Sequence, residues 1–187
     1  MTMTKQLTLW TRRTATAAML GFGLWCGPAL LQAKDLVPYK GTIEGAATIT
    51  ADGEIEAPPA QMISSHLGRG TQVYDELTIT QEEREGSTCL VAKGVSRSIA
   101  ANGDALQIEF VLEGPLTGTE TVPYIGWYKV LPNGTGRFAY DPAVPDLGEG
   151  ELAGVALITM EADTGVTTIG FQHDFTGTIR IEPPGEP

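Results

Sequence analysis

The chain is poor in cysteine, histidine and positive charge. Its 187 residues include two cysteines, two histidines and 12 lysines or arginines, against 23 aspartates and glutamates. Each shortage excludes something. Cys26 lies in the N-terminal leader described below, so Cys89 stands alone and no disulfide can close within the rest of the chain. Stability must come from a hydrophobic core, and about 150 residues are enough to build one. Cys89, in "STCLVAKG", has no basic residue or helix start beside it to lower its thiol pKa, and reads as a small strand residue. Two histidines without an HExxH motif or paired cysteines do not make a zinc site, and no metal is expected. The acidic turns "TADGE" (50–54) and "EADTG" (161–165) do not match a twelve-residue calcium loop. "GRGTQ" lacks the Lys-Ser/Thr ending and following helix of a phosphate loop, and no GxSxG elbow is present. No cofactor is expected.

The first 33 residues differ from the rest. "MTMTKQLTLWTRR" is basic, "TATAAMLGFGLWCGPALL" is apolar and uncharged, and the small Ala33 precedes Lys34. That order predicts a secretory signal peptide over residues 1–33, cleaved after Ala33, and a secreted or periplasmic product. A retained anchor is the competing reading, and Pro28 with three glycines in the apolar run counts against it. Arg12-Arg13 hints at twin-arginine export, without the hydrophobic pair that usually follows. Trp25 is too large to precede a lipidated cysteine at Cys26. Without the leader, nine basic residues face 23 acidic ones, a formal charge of −14. Such a chain repels nucleic acid and anionic lipid, so neither nucleic-acid binding nor stable membrane insertion after cleavage is expected.

Beyond the leader no segment shows a helical period. Short alternating runs are separated by glycine-rich turns at 41–50, 71–80, 87–100, 105–114, 120–131, 151–161 and 166–181. The run 105–114 is the cleanest, with Leu106, Ile108, Phe110 and Leu112 on one face and Gln107, Glu109 and Glu113 on the other. Asn102-Gly103 before it signals a two-residue hairpin with positive φ at both positions. Gly94 suggests a bulge, and Pro123 an edge or a bulge. Seven or eight strands joined by tight turns predict an all-β fold, a single antiparallel barrel of about eight strands over 34–181. Closure is favoured over an open sandwich because apolar edges invite pairing with other chains. The tail 182–187, "EPPGEP", is expected to be flexible.

The segments "GTIEGAATI", "SHLGRG", "AANGDAL", "GTGRF" and the closing "FTGTI" give the chain a resemblance, over about residues 40–181, to secreted bacterial barrels of the allene oxide cyclase-like and dirigent-like kind, a calycin-type architecture. The shared signals are turns and glycines, which speak to fold. The resemblance implies an antiparallel barrel whose relatives include cyclases of oxidised fatty acids, proteins that orient phenoxy radicals and polyketide cyclases. No catalytic signature of any one group is present, so no catalytic residue is carried over.

Candidate chemistry comes from strand parity, since alternate residues share a face. On 166–181 the apolar file is Ile169, Phe171, His173, Phe175, Ile179 and Ile181, which sends His173 inward. On 71–80 the file Val73, Asp75, Leu77, Ile79 sends Asp75 inward with it, where a desolvated carboxylate needs a partner. Asp75 and His173 are therefore candidates for a lumenal pair, with His66, in the turn before the second strand, as a third catalytic candidate. A one-residue bulge or register slip would instead swap the face of Asp75 and turn Tyr74, Glu76, Thr78 and Thr80 inward, giving a polar lumen. Asp75 would then bind backbone amides or Arg69 at the strand's start, and a separate alternative has His66 capping its turn by donating to a carbonyl. Tyr74, Tyr124, Trp127 and Phe171 are the candidate ligand-binding aromatics, with plain core packing as the alternative.

These features lead to an expected role in binding a small apolar or amphiphilic molecule in the lumen. Two alternatives stand beside it, a cofactor-independent cyclase or isomerase of the same barrel type and a structural protein with a filled core. Leu106, Phe110, Phe171 and Phe175 argue for filling, whereas Gly45, Ala47, Gly154 and Ala156 argue for space. Self-association stays open.

Overall fold

The computed structural model of the chain describes residues 36–84 and 86–181. The leader and the tail lie outside these residues. Nine strands form one antiparallel sheet: β1 (Leu36–Ile49), β2 (Ile55–Glu56), β3 (Ala60–Ser64), β4 (Gly68–Arg84), β5 (Ser87–Ala100), β6 (Ala105–Pro115), β7 (Thr121–Thr135), β8 (Glu149–Met160) and β9 (Thr167–Arg180). Each of β3 to β9 pairs with its neighbour in sequence, and β9 pairs back to β1 along fourteen residues from Leu36↔Arg180 to Ile49↔Thr167. The sheet is therefore a closed barrel. Closure leaves no long unpaired edge, which suits a barrel whose one described cysteine, Cys89, is free. Among the described residues a single turn of 3₁₀ helix, Gly136–Phe138, is the only helical element.

The segment 55–64 is a strand that alternation in the sequence did not reveal. Both β2 and β3 pair with β1 and act as one strand broken by Pro58 and Pro59, which cannot donate to the ladder. Counted this way, eight strands ring the lumen. The turn at 101–103 is also different from expectation. Gly103 has φ +89°, but Asn102 is not left-handed. The Gly103 amide bonds the Ala100 carbonyl, and Asn102 Oδ1 accepts from the Asp104 amide. This is a three-residue loop closing on a left-handed glycine, which needs positive φ only once. Pro123 sits in the middle of the sheet without a bulge recorded at it. The β6–β7 ladder ends at Glu113↔Ile125, so the missing N–H of Pro123 interrupts no bond on that side.

The bulge is in β4. The register with β5 shifts between Tyr74↔Ser96 and Glu76↔Val95, leaving Asp75 as the extra residue. Gln72 faces inward before it, Leu77 and Ile79 after it, and the file of alternate residues read from the sequence does not exist. Gly94 is the consequence on β5. A Cβ there would lie 1.9 Å from the Glu76 carbonyl oxygen, so only glycine admits the bulged backbone.

The lumen is packed unevenly along its axis. One end carries the turns at 65–67 and 101–104 and the long β7–β8 connection. There Tyr39, Leu106, Tyr128, Phe138, Phe175 and Ile179 form a buried core. Tyr140 and Leu147 from the connection seal it, held by Tyr140 Oη donating to the Arg180 carbonyl and by the Arg180 amide donating to the Leu147 carbonyl. Bulky rings on one strand lie over glycines on the next: Phe175 over Gly41, Phe171 over Gly45, Tyr128 over Gly150. Outward positions carry Lys40, Glu44, Lys93, Arg97 and Glu109 among others. The exterior of β7 and β8 is apolar by contrast, with Ile125, Trp127, Val155 and Leu157 exposed.

Candidate functional site

The other half of the lumen holds a cavity of about 80 Å³. It lies toward the turns at 50–54, 116–120 and 161–166, where inward residues are small or aliphatic: Ala47, Ala92, Gly114, Ala156, Val122 and Ile169. Tyr74, Phe110, Tyr124, Phe171 and His173 form its deeper wall. A water needs roughly 10–15 Å³ of such space, so the cavity has room for several waters, and it is about half the roughly 150 Å³ of an apolar cavity that takes benzene. It is far below the roughly 300–1,000 Å³ of sites for drug-sized ligands. The two groups that the sequence set against each other are each half right: Phe110 and Phe171 wall the cavity instead of filling the lumen, and Gly45 and Gly154 lie under Phe171 and the Tyr124–His173 pair instead of leaving space. Leu106 and Phe175 fill the sealed end, and Ala47 and Ala156 leave space in the other.

His173 faces this cavity and is only 5% exposed. Its partner is Tyr124, whose hydroxyl lies 2.9 Å from Nδ1. The contact follows from register. Tyr124 pairs with Gly154 across β7–β8, and Gly154 pairs with His173 across β8–β9. With no side chain at Gly154, the phenol and the imidazole meet over its backbone. Phe171 stacks on the imidazole at 5.9 Å with 19° between the planes. Tyr74 stands edge-on to Phe110 and Phe171, at 5.9 and 6.3 Å. Burial lowers the His173 pKa to about 4, with Asp174 opposing weakly, so the ring is neutral at neutral pH. Burial raises the Tyr74 and Tyr124 pKa values, so both phenols keep their protons. The phenol is the better donor and the imidazole nitrogen the better acceptor, which makes Tyr124 O–H donating to Nδ1 the favoured arrangement and leaves the proton on Nε2.

The sequence missed Gly154 as the spacer of this pair, although it flagged the residue as open space. It also missed Gln72, which borders the cavity and is held by Ser96 and Ser98 of β5 through both ends of its amide.

Two of the sequence candidates lie outside the barrel. Asp75 does not pair with His173, because the bulge turns it to the outer surface. There Arg97 Nε lies 2.9 Å from both carboxylate oxygens, Arg97 Nη2 lies 2.6 Å from Oδ1, and Gln107 Nε2 donates to Oδ2 at 3.2 Å. The Arg97 guanidinium holds the Asp75 carboxyl below the usual carboxylate range. Trp127 is 45% exposed and faces outward from β7, because the inward file of that strand is Val122, Tyr124, Tyr128 and Val130. His66 does not reach the cavity. Its Nε2 bonds the Pro38 carbonyl at 2.8 Å and its ring stacks on Tyr39, so it caps the turn between β3 and β4 at the sealed end. Asp75→Ala is expected to lower stability by no more than about 1 kcal/mol, the value of an exposed pair. Denaturant unfolding would check this, and a loss of several kcal/mol would return Asp75 to the core.

The cavity holds no charged lining group that faces it. Glu113, at its border, is turned out to Arg84 at 3.0 Å. Among the described residues no group of three histidines, cysteines or acids could hold a metal. The chain matches no family model, no curated protein and no solved structure. Function therefore rests on the geometry of the lumen.

Proposed function

We propose that the barrel binds a small apolar molecule, or the apolar part of a small amphiphile, in the half of its lumen that the core leaves open. The observation that carries this is the cavity itself, walled mainly by aliphatic and aromatic side chains, with few polar groups: Gln72, the Tyr74 hydroxyl and the Tyr124–His173 pair at its deeper end. Small apolar pockets with few placed polar groups bind by burial and orient by hydrogen bonding. The predicted signal peptide is in keeping with a binder that works outside the cell. The resemblance to allene oxide cyclase-like and dirigent-like barrels is in keeping with a closed all-β wall around a ligand.

Benzene tests the proposal, because it is among the smallest rings and has no polar group. Saturating benzene should raise the thermal midpoint of the wild-type protein by a few degrees, through binding to the folded state alone. Ala156→Phe fills the space from β8, at a packing cost of about 1–3 kcal/mol, and should abolish the rise. Equal shifts in both proteins, or none in either, would count against the proposal.

One observation favours a second reading, the cofactor-independent cyclase or isomerase. A neutral imidazole bonded to a phenol inside an apolar cavity can pass a proton between two sites of a bound substrate. With a pKa near 4, His173 is a weak base, and the pair works better as a donor than as a proton acceptor.

A further inference from the structure

The polar pair at the end of the cavity has one hydrogen it does not use. Tyr124 Oη and His173 Nδ1 occupy each other, and among the described residues His173 Nε2 has no recorded partner. His173 is only 5% exposed and borders the cavity. If the phenol donates to Nδ1, the spare hydrogen is on Nε2. If the imidazole donates instead, the spare hydrogen is on the Tyr124 hydroxyl. Either way a neutral pair offers one donor to whatever lies in the cavity. The spare hydrogen opens onto the cavity, where water can take it, so a ligand that displaces that water keeps the bond only if it supplies an acceptor.

The charge around the site narrows the ligand further. The turns at the cavity's end of the barrel carry Asp52, Glu54, Glu120, Glu161 and Asp163. The one described arginine at that end, Arg84, is tied to Glu82 and Glu113. Entry from this side is through a negative field that repels carboxylates and phosphates. No cation borders the cavity to hold an anionic head.

We infer that the ligand is an uncharged apolar molecule of about one ring that carries a single oxygen acceptor, such as a ketone, and that this oxygen takes the spare hydrogen of the Tyr124–His173 pair. The inference rests on the lumenal binding reading and adds to it the class of ligand. It also sets the protein apart from a fatty-acid carrier, whose ligand is an anion.

Three one-ring probes of similar size separate the cases: cyclohexanone, methylcyclohexane and cyclopentanecarboxylate, titrated at pH 7. Wild-type protein should bind cyclohexanone about three- to tenfold more tightly than methylcyclohexane, the contribution of one neutral hydrogen bond. The carboxylate should be the weakest. In the double variant Tyr124→Phe/His173→Phe the preference for the ketone should vanish while methylcyclohexane still binds; His173→Phe alone leaves the Tyr124 hydroxyl free to donate and should only reduce it. Tyr124→Phe frees the imidazole tautomer and should reduce the preference without filling the cavity. Should the double variant fail to fold, the nitrogen-15 spectrum of wild-type histidine gives an independent answer. Cyclohexanone should shift the nitrogen not bonded to Tyr124, and methylcyclohexane should not. Equal binding of ketone and hydrocarbon, with no such shift, would overturn the inference and leave the lumenal reading standing. Tightest binding of the carboxylate would overturn it too. No binding of any probe would overturn both.

Discussion

Gly154→Val should destabilise the barrel by about 3 kcal/mol or more and separate Tyr124 from His173. A Cβ at Gly154 would lie 2.5 Å from the Cβ of His173 and 2.2 Å from the carbonyl oxygen of Gln172. The second contact is to backbone within the β8–β9 ladder, so it cannot be relieved by turning a side chain. Overpacking of this kind costs about 1–3 kcal/mol or more, and a β-branched residue adds two methyls to the clash. Because Gly154 lies between Tyr124 and His173 in register, the strain falls on their hydrogen bond. Denaturant unfolding would give the stability, and ultraviolet titration of the tyrosines would report a phenol freed from its partner. A fully stable variant would mean that β8 and β9 are not paired in this register.

A fall in pH from 6.5 to 4 should cost the wild-type protein about 3 kcal/mol through His173 alone. Its ring titrates near 4 when folded, lowered by burial, against an ordinary value of 6.5. Between these values the unfolded chain binds the proton and the folded chain does not. Stability therefore rises with pH through the window, is complete above about 6.5 and is lost as pH falls towards 4. The size follows from about 1.4 kcal/mol per unit of pKa difference. Asp75 and Asp104 also lose their ion pairs with arginine in acid, but their lowered values place that loss below the window. His173→Phe should flatten the dependence between pH 4 and 6.5 and leave the steeper loss below it. Chemical unfolding of both proteins across this range would decide the matter. Identical profiles would mean that His173 is not buried.

How much of this was legible in the sequence differs from strand to strand. On β9 parity holds from Ile169 to Phe175 because its pairing with β1 runs without a break, and His173 was placed inside correctly. On β4 the same argument failed at one residue. The bulge leaves no direct mark there, but its traces were present as an aspartate in an apolar file and a glycine at position 94 of the neighbouring strand. On β7 both faces are apolar around Tyr124, Ile125 and Trp127, so alternation alone could not separate the lumenal tyrosine from the exposed tryptophan. The strand at 55–64 was hidden because Pro58-Pro59 breaks it and its inward residues are Ala60, Met62 and Ser64, a weak apolar signal. The Tyr124–His173 pair could not be read at all, since it depends on which residue of β8 lies between them. Register is a property of three strands together, fixed by closure of the ring.

The hollow half of the lumen is the claim on which the functional account stands, and a crystal of the barrel, residues 34–181, under xenon pressure tests it most directly. Xenon enters dry apolar cavities large enough to hold it. The account predicts a xenon peak inside the barrel beside Ala47, Ala156 and Ile169, with the Tyr124–His173 hydrogen bond intact beneath it. No peak in the lumen, with Tyr74 or Phe171 turned to fill the space, would contradict the account and leave a barrel with a solid core.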